Sequence, residues 1–399
     1  MGTSYSPSTV TDGLIFYYDE ANLKKSWKGE PTTNLAVTSG SVTDWTIANL
    51  VASVTRGTIT PDKKYSITST TGGDFRMNFN LSNLVDTETY TLSFKYKIIS
   101  GGPTFEIADW CDTTATKTTT DLGDGVFYHS GTGTRATYTS TYRFMDLTMS
   151  ADTVVHMDLT MSADTVVHIW DFQLENKTDP TPYVSYQRTT TQALVDLTNN
   201  STITTGSDIT YNSDNTYEHV AGDNDSTLSV PLSTSFNKLT GSINMWIYPH
   251  VYSGSNGLFV NRDSSVVNAL DWFWIGSYGS GATFYFRLGD GVACCANDLT
   301  ISSWSTVAPI NTWTNVCVTW ASAGLSQIFV NGVLHNSRSI IAIPSTNPTA
   351  TGRIGLGHTS GGTTAAWDGK ISPTAIYNRV LTNNEVKQNF ETLRSRFGV

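Results

Sequence analysis

Residues Tyr90 to Ile98, YTLSFKYKI, alternate without interruption: Tyr90, Leu92, Phe94, Tyr96 and Ile98 fall on one side, with Thr, Ser and Lys on the other. A two-residue period sends successive side chains to opposite faces of an extended chain, so this run reads as a half-buried antiparallel strand. GSINMWIYP sets Ile243, Met245 and Ile247 against Asn244, Trp246 and Tyr248, which predicts a strand packed on both sides. TWTNVCVTW aligns Val316, Val318 and Trp320, and Ile328 and Val330 then lead into Asn331-Gly332, a two-residue type I′ turn signal. Ser100 to Pro103 and the Gly-Asp-Gly and Gly-Thr-Gly triplets supply turn chemistry between such runs. Only 15% of the chain is charged, whereas aromatic residues reach 11%, a balance that favours β-sandwiches with long polar loops. One helix closes the chain at residues 382–396. Thr382 and Glu385 make a capping box, and Val386, Phe390, Leu393 and Phe397 form an apolar stripe for a sandwich face or a neighbouring subunit.

The 399 residues suffice for two or three domains, each with its own core. The net charge of −10 is spread along the chain with no Lys/Arg block, which argues against nucleic-acid binding, because phosphates demand a clustered basic face. No apolar run approaches the roughly 20 residues that span a bilayer, so membrane insertion is not expected. The opening MGTSYSPSTVTDG lacks the basic and apolar regions of a secretory signal, which points to a protein that stays in the cell making it or leaves by lysis. The four cysteines, Cys111, Cys294, Cys295 and Cys317, show no CxxC or His-bearing metal spacing and read as free thiols.

Catalytic constellations are missing from the local sequence. Jelly-roll glycoside hydrolases need two carboxylates about 5–9.5 Å apart, often four or five residues apart on one strand. No ExDxE or ExDxxE pattern occurs, and Glu106 and Asp109, three apart, fall on opposite faces of a strand. A carboxylate pair joined only by folding stays open. The histidines form no HxxH or HExxH pattern, and no GxSxG elbow or phosphate loop is present.

Several segments resemble concanavalin A-like and laminin G-like domains: Gly241–Pro249, Thr312–Trp320, Ile328–Leu334 and Gly369–Val386. The tail Ile376–Gly398, IYNRVLTNNEVKQNFETLRSRFG, is especially similar to laminin G-like proteins of tailed bacteriophages. Family members commonly open with DGLVFYLDAAN followed at once by W.DLSG. Here Asp12–Asn22 resembles the first part and Leu194–Leu197 the second, with about 170 residues between them. The intervening stretch, ending in HIWDFQLENKTDPTPYV, resembles the carbohydrate-binding-module-like jelly rolls of virion proteins. The resemblance thus implies an all-β protein of two antiparallel β-sandwiches (jelly rolls), one inserted in the other, with a short C-terminal α-helix. Residues 1–30 and 187–399 would form the host sandwich and residues 31–186 the guest, so the first strand should pair with strands of the C-terminal part. Where the family has FDGxxDY, this chain has Val220 to Ser226, VAGDNDS, which loses the first acid and the aromatic. Within the guest, MDLTMSADTVVH occurs at 145–156 and again at 157–168, an even insertion that preserves in/out phase. It reads as a tolerated duplication or as an added edge strand for assembly.

Aromatic rings are the usual platforms for sugars, whose apolar faces stack on them. Trp110, Tyr128, Trp304 and Trp367 stand among Gly, Ser, Thr and Asp and are the candidates for exposed glycan contact; Trp170, Trp246 and Trp320 read as core. Calcium binding through loop carboxylates is common in the resembled group, and Asp271, Asp290, Asp298 and Asp368 are the residues such a role would use. They read first as turn formers, no calcium loop is present, and neither a metal site nor any other cofactor is assigned. The resemblance implies a non-enzymatic virion protein on a bacteriophage tail, fibre or head surface, made in the host cytoplasm and homo-oligomeric. Its partners would be other virion proteins and host-surface polysaccharide. The alternatives are a bacterial cell-surface lectin or adhesin and a polysaccharide-degrading enzyme.

Overall fold

The computed structural model describes residues 8–35, 46–48, 54–55, 64–69, 73–80, 85, 87–101, 103–106, 116–134, 154–161, 165–185, 187–212, 216–220, 225–232, 236–252, 254–261, 273–279, 281–289, 297–340, 342–343, 351–356 and 366–399. Contacts divide the chain into two compact units, residues 1–29 with 190–399, and residues 30–189. The fold is all-β, with helices among the described residues at Trp304–Val307 and Asn383–Phe397.

In the first unit, one sheet runs in the order Leu14–Tyr18, Gly369–Tyr377, Thr240–Pro249, Thr314–Ala321, Leu325–Val330, Val333–Ser339. The N-terminal strand therefore pairs with the strand nearest the C-terminus, Phe16 opposite Ile376 and Tyr18 opposite Thr374. The second sheet runs Thr204–Thr205, Leu228–Pro231, Thr351–Ile354, Asn256–Asn261, Phe273–Tyr278, Thr283–Leu288, Leu299–Ser302. Ile243, Met245, Ile247, Val316, Val318 and Trp320 from the first sheet share a core with Val230, Phe259, Phe273, Ile275, Phe284 and Phe286 from the second. Phe273 lies 4.8 Å from Trp320 in an edge-to-face contact that joins the layers. Burying both faces of Thr240–Pro249 leaves only Thr240, Tyr248 and their surroundings partly open.

Local chemistry explains the joints. Asp196 is buried, and its carboxylate accepts from the backbone N–H groups of Tyr17, Thr198, Asn200 and Ser201. One acid thus fastens the 196–201 turn to the first strand across 179 residues of sequence. Asn331 and Gly332 take φ of 48° and 75°, the paired positive values of a type I′ turn. The helix begins on the capping box: Thr382 accepts from the Glu385 N–H, and Glu385 accepts from the Thr382 N–H at 2.8 Å.

The second unit has a six-stranded sheet, Val54–Thr55, Tyr65–Ser69, Thr165–Glu175, Thr89–Ser100, Val126–Thr134, Thr116–Gly123, and a four-stranded sheet, Thr46–Ala48, Gly73–Asn80, Val154–Met161, Pro103–Glu106. Tyr90, Leu92 and Phe94 are buried as the alternation requires. Thr91 and Ser93 on the opposite face are buried too, because the Thr91 hydroxyl is covered by the Lys177 carbonyl and by Thr132. The Gln173-Leu174-Glu175 end of its neighbour is held by hydrogen bonds. Glu175 accepts from Thr32, Gln173 and the N–H and hydroxyl of Thr181, which anchors the Pro-containing exit.

Two sequence expectations change here, and one alternative is narrowed. Gly123-Asp124-Gly125 is a turn with all three φ positive, but Gly131-Thr132-Gly133 lies within the strand Val126–Thr134, paired to both neighbours or one. Trp170 is half-buried with the Lys64 ammonium 4.6 Å from its ring, rather than core. The tandem repeat adds no edge strand among the described residues. Val154–Met161 crosses the junction between the two copies and sits between two other strands, while residues 145–153 lie outside the described ones.

Candidate functional site: an aromatic and charged cluster

The strand Thr240–Pro249 turns Trp246 and Tyr248 away from the main core. Trp246 is nonetheless 1% exposed, because the C-terminal helix lays Phe390 and Phe397 on it, with ring centroids 5.7 and 4.3 Å away and nearly parallel planes. The helix ends at Gly398 in the left-handed region, φ 71°, so its cover stops there. One pleat further on, Tyr248 is half-buried, and Trp313, also half-buried, stands 5.3 Å from it and 4.5 Å from Phe397. An aromatic row therefore runs from the interior to the surface. His250 meets Tyr248 edge-on at 5.6 Å and extends it.

Charged groups border the row. Lys370 lies opposite Tyr248 in register, donates to the Thr216 hydroxyl at 3.2 Å and stands 3.4 Å from a Glu218 oxygen. His250 Nδ1 is 3.7 Å from the other Glu218 oxygen and 3.5 Å from Asp368 Oδ1, while its backbone N–H donates to the Asp368 carbonyl. These ionic separations are longer than good hydrogen bonds, so both carboxylates keep acceptor capacity and Lys370 and His250 keep donors. Flat rings beside unsaturated donors and acceptors are what a sugar needs: apolar C–H faces for the rings and hydroxyls for the polar groups.

The residues expected from sequence are placed differently. Trp304 and Trp367 are both 0% exposed, which corrects the expectation that they offer exposed rings. Trp304 packs 4.3 Å from Phe284 at the start of a short helix, and Trp367 packs against Tyr252 while its backbone N–H donates to the Gly355 carbonyl. Polar sequence neighbours described their loops and not the strands that close over them. Tyr128 is half-buried, and burial pushes its hydroxyl up to about 12 despite a hydrogen bond with Ser93. Trp110 lies outside the described residues, as do Asp271 and Asp290. Asp298 is gripped by Arg287 through 2.9 and 2.7 Å bonds, with burial raising its carboxyl, and Asp368 belongs to the cluster above. Among the described residues no group of three or more His, Cys, Asp or Glu side chains has metal-holding geometry. Cys317 is a buried free thiol, pushed well up by burial; Cys111, Cys294 and Cys295 lie outside the described residues. No described helix is long and apolar enough to cross a membrane.

Residues 221–387 match the family model of the concanavalin A-like lectin/glucanases superfamily, laminin G type. That stretch carries most of both sheets of the first unit and the strands around the cluster. Among solved structures, the chain is similar to the receptor binding domain of botulinum neurotoxin type G (19% identity, 50% of this chain and 48% of that one, TM-score 0.38). It is similar also to the binding domain of Paraclostridial Mosquitocidal Protein 1 (19%, 49% and 49%, 0.38). A third is the ligand binding domain of botulinum neurotoxin serotype D in complex with N-acetylneuraminic acid (16%, 51% and 49%, 0.39). The chain spans about half the length of each. No curated protein matches it.

Sequence reading passed over Trp313, Tyr248, His250 and Glu218 as site residues. Glu218, His250, Trp313 and Asp368 are distant in the chain, and their neighbourhoods are brought together by the pairing of Thr240–Pro249 with Gly369–Tyr377 and with Thr314–Ala321, and by the His219–Gly369 bridge. The usable signal is Tyr248 itself, an aromatic in the same outer phase as Trp246, which the helix covers.

Proposed function

We propose that this protein is a non-enzymatic glycan-binding component of a bacteriophage virion, and that it holds sugar at the Tyr248–Trp313 row. The observation that carries the binding role is the half-buried aromatic pair bordered by Glu218, Asp368, His250 and Lys370 on a lectin-type domain. The virion role is supported by the phage-like tail Ile376–Gly398. On a glycan array, the full chain binds a defined set of polysaccharides. Trp313→Ala and Tyr248→Ala weaken the best ligand roughly tenfold or more, as expected for losing an aromatic anchor. Equal binding by both variants, each checked for an unchanged melting profile, would overturn the site. Mass spectrometry of purified particles tests the location: a fixed, symmetric copy number supports a virion subunit, and recovery only from bacterial envelopes supports the adhesin reading.

One observation favours a second reading. Glu218 and Asp368, absent from any local motif, converge on one imidazole nitrogen. Hydrolysis of a bound polysaccharide that disappears in Glu218→Gln and Asp368→Asn would make the cluster catalytic.

A further inference from the structure

The strand Thr116–Gly123, TKTTTDLG, ends the six-stranded sheet of the second unit, and all eight of its residues are exposed. It pairs on one side with Val126–Thr134, and among the described residues no strand pairs with its other side. Such an edge is a template for another strand, and proteins normally blunt it with Pro, shortness, bulges or charges, Lys above all. Here a bulge at Leu122 ends the regular register, and the charges are Lys117 and Asp121. The edge is eight residues long, lacks Pro, and holds three consecutive threonines at its centre, which suit a strand.

Its two charges have opposite sign and lie symmetrically about Thr119. If the strand pairs antiparallel with a second copy on a two-fold axis through Thr119, Lys117 falls opposite Asp121 of the second copy, and Asp121 opposite Lys117. Thr118 then meets Thr120. Lys117, Thr119 and Asp121 share one face, so two ion pairs flank the axis there. A self-complementary patch is what a two-fold interface requires.

The other exposed edge, Val333–Ser339, lacks this symmetry. Its Asn336 and Arg338 donate to the Thr300 and Asp298 carbonyls, and Arg338 has no acidic counterpart on the strand.

We propose that the full chain forms a two-fold dimer through antiparallel pairing of Thr116–Gly123 with the same strand of a second copy, Thr119 on the axis. The partner is thus this chain itself, independent of any glycan. Sedimentation equilibrium of the full chain over a concentration series tests it. Wild type shows a concentration-dependent dimer. Lys117→Glu and Asp121→Lys each place two like-charge pairs across the axis and raise the dissociation constant on the order of tenfold or more. Mixing the two variants restores association, because every charge then faces its opposite. Asp121 also accepts from the Gly123 N–H at 2.8 Å, so Asp121→Asn, which keeps an acceptor there, separates loss of charge from an unsettled turn and weakens the dimer less. Thr119→Pro, which removes a ladder donor, abolishes it. A chain monomeric at every concentration, a dimer indifferent to Lys117→Glu and Thr119→Pro, or a variant mixture that stays dissociated would each overturn the proposal.

Discussion

Thr240–Pro249 and Thr116–Gly123 are both regular antiparallel strands in six-stranded sheets, yet the first is buried everywhere except Thr240 and Tyr248, and the second nowhere. Position in the sheet accounts for part of the contrast, since one is central and the other an edge. The larger cause is what covers the outer face. A helix from the far end of the chain lays Phe390 and Phe397 on Trp246, whereas Thr118 and Thr120 face water. Where the cover stops, at Tyr248 and Trp313, the molecule has a half-wet aromatic surface, the place of the proposed glycan site.

The contrast is broken most forcefully at Trp246. Trp246→Ala removes the ring sandwiched between strand and helix and should cost about 3–5 kcal/mol, the range for large aromatic truncations in a core. Thermal melting of the full chain would show it, with the loss confined to the unit that holds the helix. A shift of only a degree or two would mean the helix contributes little to that face.

Burial also governs titration. His219 is 1% exposed, its Nδ1 faces the Ser226 carbonyl, and burial lowers its pKa to about 4. Gly355, at φ 83°, leaves space for that ring; a Cβ there would lie 2.2 Å from Nδ1. The folded state holds the ring neutral, while the unfolded chain takes up a proton below about 6.5. Its contribution is therefore complete above pH 6.5 and is lost as pH falls toward 4, roughly 3 kcal/mol across that window. Denaturant midpoints should fall accordingly from pH 7 to pH 4, and His219→Asn should flatten that decline in the first unit. His129, lowered to about 4 by burial and by Lys117, adds a decline of the same sign in the second unit and should persist in that variant.

How much of this was legible in sequence depended on whether the informative partner was near in the chain. The capping box, the Asn331-Gly332 turn and the alternation of Ile243, Met245 and Ile247 are local signals, and each appears where its chemistry placed it. The pairing of Leu14–Tyr18 with Gly369–Tyr377 was legible through motif resemblance alone, since no local property of either strand names the other. Trp304 and Trp367 misled because small polar neighbours suggest exposure, while Phe284 and Tyr252 arrive from other strands to bury them. The charged cluster was illegible for the same reason: Glu218, His250 and Asp368 share no spacing rule.

The helix that makes the difference between the two strands hangs on a modest cap. Thr382→Ala should cost about 1 kcal/mol, with Glu385 losing one of its partners. Glu385 is drawn down to about 2, chiefly by hydrogen bonds from Arg379, with further help from Thr382. A depressed carboxylate stabilises the fold fully above its ordinary value near 4.5 and ceases to do so as pH falls toward 2. Helix unfolding followed by circular dichroism should therefore show an acid limb in that window that Glu385→Gln lacks.

The smallest effect belongs to the exposed strand, and it tests the comparison at its other end. Thr120→Ala deletes a hydroxyl and a methyl on an exposed strand, so monomer stability should move by no more than about 0.5 kcal/mol. The measurement is a denaturant melt at a concentration low enough to exclude association. A loss of 2 kcal/mol or more would mean that this edge is packed within the monomer. Strand 116–123 would then resemble Thr240–Pro249 more than its exposure allows, and the contrast between covered and uncovered faces would no longer hold.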